Sequence, residues 1–576
     1  MYLRSAKWVI GWIGKQRWRM LAGMGLTALS VGLIMAEPFI FRRVVDEVLL
    51  TGEFGGLVPL LAVALALAFC YLVLRYINNI FWEIASQEMV FGLRRELFQR
   101  IIGQTGGFFR KNYAGDLITK CTGDVDIVRH FFSWVTPHAI ESVLILVTAL
   151  VVFVIIDPLY MVCLVVLTPV TAVLAGRLGK RILPAHVKVR EARSRLSTVV
   201  SENIGGNRVV KAFTREQFEI EKFEVENRAF HDAQMEVNHV WLRFGPLIES
   251  VAQVLSAVNL VVGGIMVVSG RITLGQMNIF LMLAWALNQP MVNMGMIIND
   301  AQRFFASAEK LEQLYYSPND IQSPQKPAVT GPIRGDITFD QVSLRLGGMD
   351  ILKDVNLTIK AGQTVGFMGP TGSGKTMLAS LIPRFADVTA GAVTVDNVDV
   401  KRYDLTKLRG AIGMTMQDVF LFSASVENNV AYGDPEAPMG RIEDACRDAD
   451  ASGFVSALPQ GYETIVGERG TGLSGGQKQR LSLARALLPE PSILILDDTT
   501  SAVDMETEKN IQAHLKARES SATTIIIAQR VSSISHADCI YILEDGQITE
   551  QGTHGELMKR KGYYYDTCVL QQGVGS

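Results

Sequence analysis

Cysteine and histidine are scarce in this 576-residue chain, with six and eight copies respectively. The cysteines (Cys70, Cys121, Cys163, Cys446, Cys539, Cys568) are dispersed, with no CxxC pair and no histidine at ligand spacing. That pattern argues against a disulfide frame or a zinc site and for reduced thiols. Net charge is nearly missing too, at −2, so no global basic field points to nucleic acid. The polarity of an ordinary soluble domain is also lacking: 49% of residues are hydrophobic and mean hydropathy is +0.23, in a chain too long for one domain. The N-terminus is basic (Arg4, Lys7, Lys15, Arg17, Arg19) and then apolar, superficially like a signal peptide. Many apolar runs follow, so the expectation is an uncleaved first span.

The first half holds six apolar stretches of roughly 17–25 residues, each long enough to cross a hydrocarbon core of about 30 Å. They are Trp18–Phe41, Leu57–Asn78, Ile140–Ile156, Leu159–Leu178, Pro246–Val268 and Leu274–Ile298. The link between the first and second stretches sets Arg42 and Arg43 against three acids (Asp46, Glu47, Glu53), and that between the third and fourth (Asp157-Pro158) carries no Lys or Arg. Phe91–Arg129 and Arg177–Arg243, by contrast, are basic (Arg94, Arg95, Arg100, Arg110, Lys111, Lys120; Lys180, Arg181, Lys188, Arg190, Arg193, Arg195). The positive-inside rule therefore places those two segments and both termini in the cytoplasm. Both are rich in helix formers, which predicts membrane helices continuing beyond the bilayer as helical hairpins, with tips near Gly115–Asp126 and Asn203–Lys211. Tyr2–Ile13 mixes Trp, Ile and Lys, as suits a helix lying in the membrane interface.

Composition shifts after Ile298. Ser317-Pro318-Asn319-Asp320 and Ser323-Pro324-Gln325-Lys326-Pro327 read as a linker, giving a membrane domain over 1–316, a connection over 317–332 and a soluble domain over 333–576. In the last of these, short β-rich runs alternate with helical patterns, so the expected fold is an α-helical membrane domain followed by an α/β domain.

Three motifs in the second half carry chemistry. Thr364–Met368 reads as a strand, followed by Gly369-Pro370-Thr371-Gly372-Ser373-Gly374-Lys375-Thr376 and a helical run. Glycines there let backbone N–H groups wrap phosphates, and the helix N-terminus adds a favourable dipole. Lys375 would meet the β- and γ-phosphates and Thr376 would ligate Mg²⁺. The apolar strand Ile493–Leu496 ends in Asp497-Asp498, and Asp497 is the natural anchor for that Mg²⁺. Leu473-Ser474-Gly475-Gly476-Gln477 opens a helix and forms a second anion-binding turn. One domain has no use for two such turns on one nucleotide unless the second faces a nucleotide held by another domain.

In this order, with Gln417 inside Met416–Phe420 and Ser501-Ala502-Val503-Asp504 after the acidic pair, the chain resembles an ABC transporter along essentially its whole length. Gly115-Asp116-Leu117 and Arg208–Phe213 look like the intracellular loops of ABC exporters, and Gly552-Thr553-His554 like the tail of their ATPase domain. The resemblance implies a half-transporter that dimerises and sandwiches two ATP molecules, with alternating access as its mechanism. It further implies that Gln417 senses Mg²⁺ and the attacking water. Ser474, Gly475, Gly476 and Gln477 would touch the γ-phosphate held by the opposite chain, and Asp504 would signal across the dimer.

Three positions depart from the family pattern. The family's general base is Glu, whereas Asp498 sets its carboxylate back by about 1.5 Å, and a misplacement near 1 Å can cost on the order of 10²-fold. The family's switch residue is His, whereas Gln529 donates a hydrogen bond but carries no proton or positive charge to the γ-phosphate. The aromatic that stacks on adenine is missing, with Leu346 in its place; lost stacking weakens binding by roughly 1–3 kcal/mol on the nucleic-acid scale. An intact Ser474–Gln477 turn beside a weakened cutting centre resembles heterodimeric bacterial multidrug exporters. The implied partner is an unlike half-transporter with Glu and His at the matching positions.

Substrate signals are fainter. Met277, Met282, Met291, Met294 and Met296, with Trp285, Asn288, Gln289 and Asn293, suit a promiscuous path for lipophilic drugs and equally suit plain helix packing. Glu37, before Pro38, could draw cationic drugs through a wet cavity or pair near the outer interface. Glu141 and Glu249 are expected to face water at cytoplasmic span ends. A homodimeric lipid or peptide exporter and an ATP-binding regulatory subunit are the rival readings.

Overall fold

The computed structural model describes residues 2–572 apart from 167, 329–330, 500–502 and 518–521. Two compact units result, one of residues 1–102 and 113–317, the other of 103–112 and 318–576.

Among the described residues the first unit forms helices and no strand, and four helical stretches are long and apolar enough to cross a membrane: Arg17–Leu49, Phe54–Ile102, Ala114–Ile156 and Glu216–Val268. Leu57–Ile102 is 46 residues long and Glu216–Val268 is 53, or about 70–80 Å at 1.5 Å per residue, more than twice a hydrocarbon core. The apolar part of each therefore continues as a polar helix beyond the bilayer. Two of the expected spans are divided. The fourth falls on Pro158–Val165 and Thr168–Gly205, with Leu167 between them outside the described residues. The sixth is split into Leu274–Leu283 and Trp285–Tyr315 at Ala284.

The second hairpin reverses where the sequence indicates, around Gly205–Gly206 and the short helix Asn207–Ala212. The first does not. Gly115–Asp126 is helical throughout, and the chain leaves its helix at Ile102, with Thr105 and Asn112–Tyr113 extended around the short helix Gly106–Lys111. The Gly103, Gly106 and Gly107 group is the stronger breaker signal; Gly115 sits inside the helix Ala114–Thr119 with open space at its Cα.

Tyr2–Gly11 is helical, and its Ser5, Ala6 and Val9 are buried. Its Trp8 packs 5.3 Å from the Tyr315 ring. The apolar centre of the unit gathers Val31, Met35, Phe153, Tyr160, Met277 and Phe280, with the Phe153 and Phe280 rings stacked at 4.6 Å. At the end away from the basic hairpins, Asp157 receives the backbone N–H groups of Leu159 and Tyr160, each at 2.9 Å, and Arg271 Nε at 2.5 Å. Asp46 receives Thr273 Oγ1 at 2.6 Å and Gly275 N–H at 2.8 Å. Glu141, expected to face water, instead pairs with Arg75 of the neighbouring helix and is mostly buried. Glu37 is exposed and forms no ion pair among the described residues. The side chains of Asn288 and Met291 lie outside the described residues.

The second unit is α/β. Its strands are β1 (Ile337–Leu346), β2 (Met349–Ile359), β3 (Thr364–Met368), β4 (Ala390–Val395), β5 (Val398–Asp399), β6 (Ile412–Thr415), β7 (Ile493–Asp497), β8 (Thr523–Ile527), β9 (Cys539–Glu544) and β10 (Gln547–Gly552). An antiparallel four-stranded sheet has the order β2-β1-β4-β5, and a six-stranded sheet has the order β10-β9-β3-β8-β7-β6. In the larger sheet β3, β6, β7, β8 and β9 run parallel. Every residue of β7 is buried, as befits a central parallel strand covered on both faces. Ile337, Phe339, Val365, Phe367, Leu378, Ile493 and Ile525 join both sheets in one core. A second core, around Leu421, Val430, Ile442, Leu481 and Leu487, packs the helical part of the unit.

Candidate functional site

Because these strands run parallel, their carboxyl ends meet at one edge, where ligands bind in open α/β sheets. Gly369 follows β3, Gln417 follows β6, Asp498 follows β7 and Gln529 follows β8. The structure brings Thr371, Gly372, Gly374, Lys375, Thr376, Gln417, Asp497, Asp498 and Gln529 together around one cleft of about 300 Å³. Ile351, Met377, Ile527 and Ala528 complete its walls.

The glycine loop is shaped by sterics. Gly369 has φ +149°, and a Cβ there would overlap the Leu543 carbonyl oxygen. Gly374, at φ +102°, caps the helix that begins at Lys375. Lys375 is nearly buried, and its Nζ donates to Gly369 O at 2.9 Å, Pro370 O at 2.8 Å and Ser373 Oγ at 3.2 Å. Burial lowers the Lys375 pKa, with the charges of Asp497 and Asp498 acting the other way.

Asp497 is 2% exposed at the end of β7, and its Oδ2 has no hydrogen-bond partner among the described residues. Burial raises its pKa, a bond from the Thr376 hydroxyl and the charge of Lys375 oppose the rise, and Asp498 adds to it. An orphaned carboxylate oxygen beside a threonine hydroxyl is an all-oxygen donor set suited to a hard divalent cation. Among the described residues no cluster of three or more His, Cys, Asp or Glu could hold a metal, so a cation here would complete its shell with oxygens of water or a bound anion.

Asp498 adopts φ +50°, a left-handed conformation that Asp tolerates better than most residues. Its N–H donates to Ile527 O at 2.9 Å, and its carbonyl accepts Gln479 Nε2 at 3.2 Å. Gln479 was missed by sequence reasoning. The available signal was a Gln buried on the inner face of the helix Gly475–Leu487; its target, 19 positions away, was not visible.

Other expected residues lie elsewhere. Leu346 ends β1 opposite Met349, half-buried against the sheet core, and is not among the cleft walls. Ser474 caps Gly475–Leu487 through a reciprocal box: its Oγ accepts Gln477 N–H at 3.3 Å and its own N–H donates to Gln477 Oε1 at 2.9 Å. Ser474 and Gly475 are exposed and do not line the cleft. Asp504 caps Met505–Ala517, accepting Thr507 N–H at 2.8 Å and Thr507 Oγ1 at 3.2 Å, and that N–H is the first cause of its lowered pKa. Ser501 and Ala502 lie outside the described residues.

A strand–glycine loop–helix cradle over an Asp-tipped strand, fused to bilayer-length helices, defines an ATP-driven membrane transporter. The chain belongs to the ABC transporter family and has the architecture of an ABC exporter, an ATP hydrolase coupled to transport across a membrane. Residues 20–291 match the ABC transporter transmembrane region and residues 352–501 the ABC transporter domain. Among relatives, the chain is 35% identical over 562 residues to the uncharacterized ABC transporter ATP-binding protein YknU of Bacillus subtilis, covering 96% of this chain and 94% of that one. It is 32% identical to an ATP-dependent lipid A-core flippase of Syntrophus aciditrophicus, over 96% and 92% of the two chains. It is also 32% identical to the multidrug efflux ATP-binding/permease protein Rv0194 of Mycobacterium tuberculosis, matching 96% of this chain but 46% of that longer protein. A bacterial Atm1-family ABC exporter with ATP bound superposes with a TM-score of 0.80 at 25% identity, over 96% of this chain and 98% of the other.

Proposed function

We propose that this chain is the weakly hydrolysing half of a heterodimeric bacterial exporter of lipophilic or cationic compounds. The single observation that carries this reading is the composition of the cleft: Lys375, Thr376 and Asp497 stand complete, beside Asp498 and Gln529. Lys375 meets the β- and γ-phosphates of ATP, and Thr376, Asp497 and Gln417 hold Mg²⁺. When bound, that ion neutralises charge between the phosphates. Asp498 orients the attacking water from too far back, and Gln529 offers the γ-phosphate an amide hydrogen bond without a proton to give. Leu346, off the cleft walls at the end of β1, offers the adenine no ring to stack on.

Ser474, Gly475, Gly476 and Gln477 face a nucleotide held by the partner, which supplies Glu and His at its own cutting centre, and Asp504 couples the two sites. ATP draws the two ATPase units together, the hairpin tips pass the movement to the spans, and hydrolysis at the partner's site resets the pair. The ATPase unit and both termini lie in the cytoplasm. Substrate reaches the path from the lipid, and no nucleic acid is involved.

The near full-length likeness to the lipid A-core flippase supports a second reading, a homodimeric lipid exporter. Purified chain tested for Mg-ATP binding, mass and steady-state phosphate release separates the two. The heterodimer reading expects tight binding and slow release, restored by a second half-transporter. Brisk, drug-stimulated release by the lone chain refutes it.

A further inference from the structure

The long helices Thr168–Gly205 and Glu216–Val268 leave a groove of about 460 Å³ lined by Arg181, Asp232, Glu236, His239, Arg243 and Phe244 among others. Its depth follows from the sequence. The fourth apolar stretch ends at Leu178, just before Arg181, and the fifth begins at Pro246, just after Arg243. At 1.5 Å per residue both guanidinium-bearing positions lie about 5 Å from the hydrocarbon edge, the level of lipid phosphates. Trp241 and Leu242, beside them on the helix, are 52% and 71% exposed, as expected of side chains at a membrane interface.

The groove's two arginines share its lining with two carboxylates, of which Glu236 is engaged by Lys188 Nζ at 2.7 and 2.8 Å and Asp232 is exposed beside the neutral imidazole of His231 at 3.1 Å. Counting Lys188, three cations face two carboxylates, which leaves one positive charge uncancelled. Neither Arg181 nor Arg243 forms an ion pair among the described residues. The Arg181 guanidinium lies 5.4 Å from the centroid of the buried Phe244 ring, a contact that holds it in place without neutralising it. Arg177 and Lys180 add charge within the preceding helical turn. Arg177 and Arg181 share one helix face by their spacing of four, as do His239 and Arg243.

We propose that this groove binds the anionic headgroup of an inner-leaflet phospholipid, with the phosphate between Arg181 and Arg243 and the acyl chains alongside the two spans. Paired guanidiniums suit a phosphate because their planar forks donate two hydrogen bonds at once, and basic pockets between helices at the cytoplasmic face hold such headgroups. The site is separate from the nucleotide cleft and does not depend on which dimer the chain forms.

The test uses full-length chain reconstituted with equal phosphatidylglycerol and phosphatidylcholine, its retained lipids counted by native mass spectrometry. Wild type is expected to favour phosphatidylglycerol by roughly tenfold or more, the scale that two basic side chains give at an anionic surface. R181Q/R243Q should fall to the bulk ratio, and R190Q/R193Q, farther along the same helix, should keep the preference. Millimolar inorganic phosphate should leave the bound lipid in place because it brings no acyl chains; displacement by phosphate would make this a free-anion site and overturn the assignment. A bulk lipid ratio in wild type, or equal retention by R181Q/R243Q, overturns it as well. If R181Q/R243Q fails to fold, the wild-type ratio alone decides.

Discussion

Lengthening Asp498 to Glu while changing Gln529 to His is the sharpest perturbation of the cutting centre, because both side chains line the cleft and neither belongs to the phosphate cradle. The added methylene advances the carboxylate by about 1.5 Å. If a misplacement near 1 Å costs on the order of 10²-fold, Asp498→Glu has roughly 2.7 kcal/mol of barrier to recover. Two things reduce the single-mutant gain. Asp498 sits at φ +50°, fixed by its N–H on Ile527 O and by Gln479 on its carbonyl. A longer side chain there costs about 1 kcal/mol in backbone strain, paid in stability before turnover. Gln529 also remains unable to carry a proton. Each single change is therefore expected to raise phosphate release less than about tenfold, and the pair to raise it about a hundredfold. The ATP KM should hold steady, because Lys375, Thr376 and Asp497 are unchanged. Steady-state phosphate release at saturating Mg-ATP, with KM measured for all four proteins, is the assay. A wild-type rate already at the level of ordinary ATPases, or a double variant no faster than wild type, refutes the reasoning.

Gly369→Ala forces a Cβ onto the Leu543 carbonyl at φ +149° and should abolish binding of a fluorescent ATP analogue while leaving far-ultraviolet helix content intact. Asp157→Ala removes an acceptor that Arg271 and two backbone N–H groups share, and should lower stability in detergent by about 2 kcal/mol. Combining it with Arg271→Ala should cost less than the sum of the two single changes, as thermal melting would show. Burial, aided by Lys516, holds the His536 imidazole below its ordinary pKa. The folded state thus binds fewer protons, so stability present above about pH 6.5 is lost as pH falls towards the folded value. His536→Gln should flatten the melting temperature between neutral and mildly acidic pH.

The cradle was legible because its determinants are local. Gly369, Gly372 and Gly374 announce a loop, four apolar residues announce β7, and the acid that ends β7 faces the loop by topology alone. Gln417 and Gln529 could be placed through family resemblance, and the structure shows why they meet, each following the carboxyl end of a parallel strand. What stayed hidden depends on distant partners. Glu141 looked like an ordinary charge at a span end, and its Arg75 partner is 66 positions away. Gln479 reads as one more polar residue on a helix until Asp498 O arrives from β7. The first hairpin tip was misplaced because Gly115 was weighted as a breaker, although an isolated Gly costs a helix only about 1 kcal/mol, whereas Gly103, Gly106 and Gly107 act together.

In the heterodimer proposed above, the two anion-binding turns would let weak cutting and a useful surface coexist in one chain. The Ser474–Gln477 box satisfies the N–H groups of Ser474 and Gln477 and leaves those of Gly475 and Gly476, the first two of the helix, without intrahelical partners. Such donors at an exposed helix start attract negative charge, yet the chain's own cleft is walled by other residues. On the proposed reading their function is set by whatever phosphate an adjoining chain presents, and it does not depend on how well Asp498 cuts. A substitution such as Gly476→Asp should accordingly leave ATP binding by the lone chain unchanged and abolish release by the assembled pair. If it instead weakened ATP binding by the lone chain, the turn would be serving this chain's own nucleotide, and the division of labour between two chains would be lost.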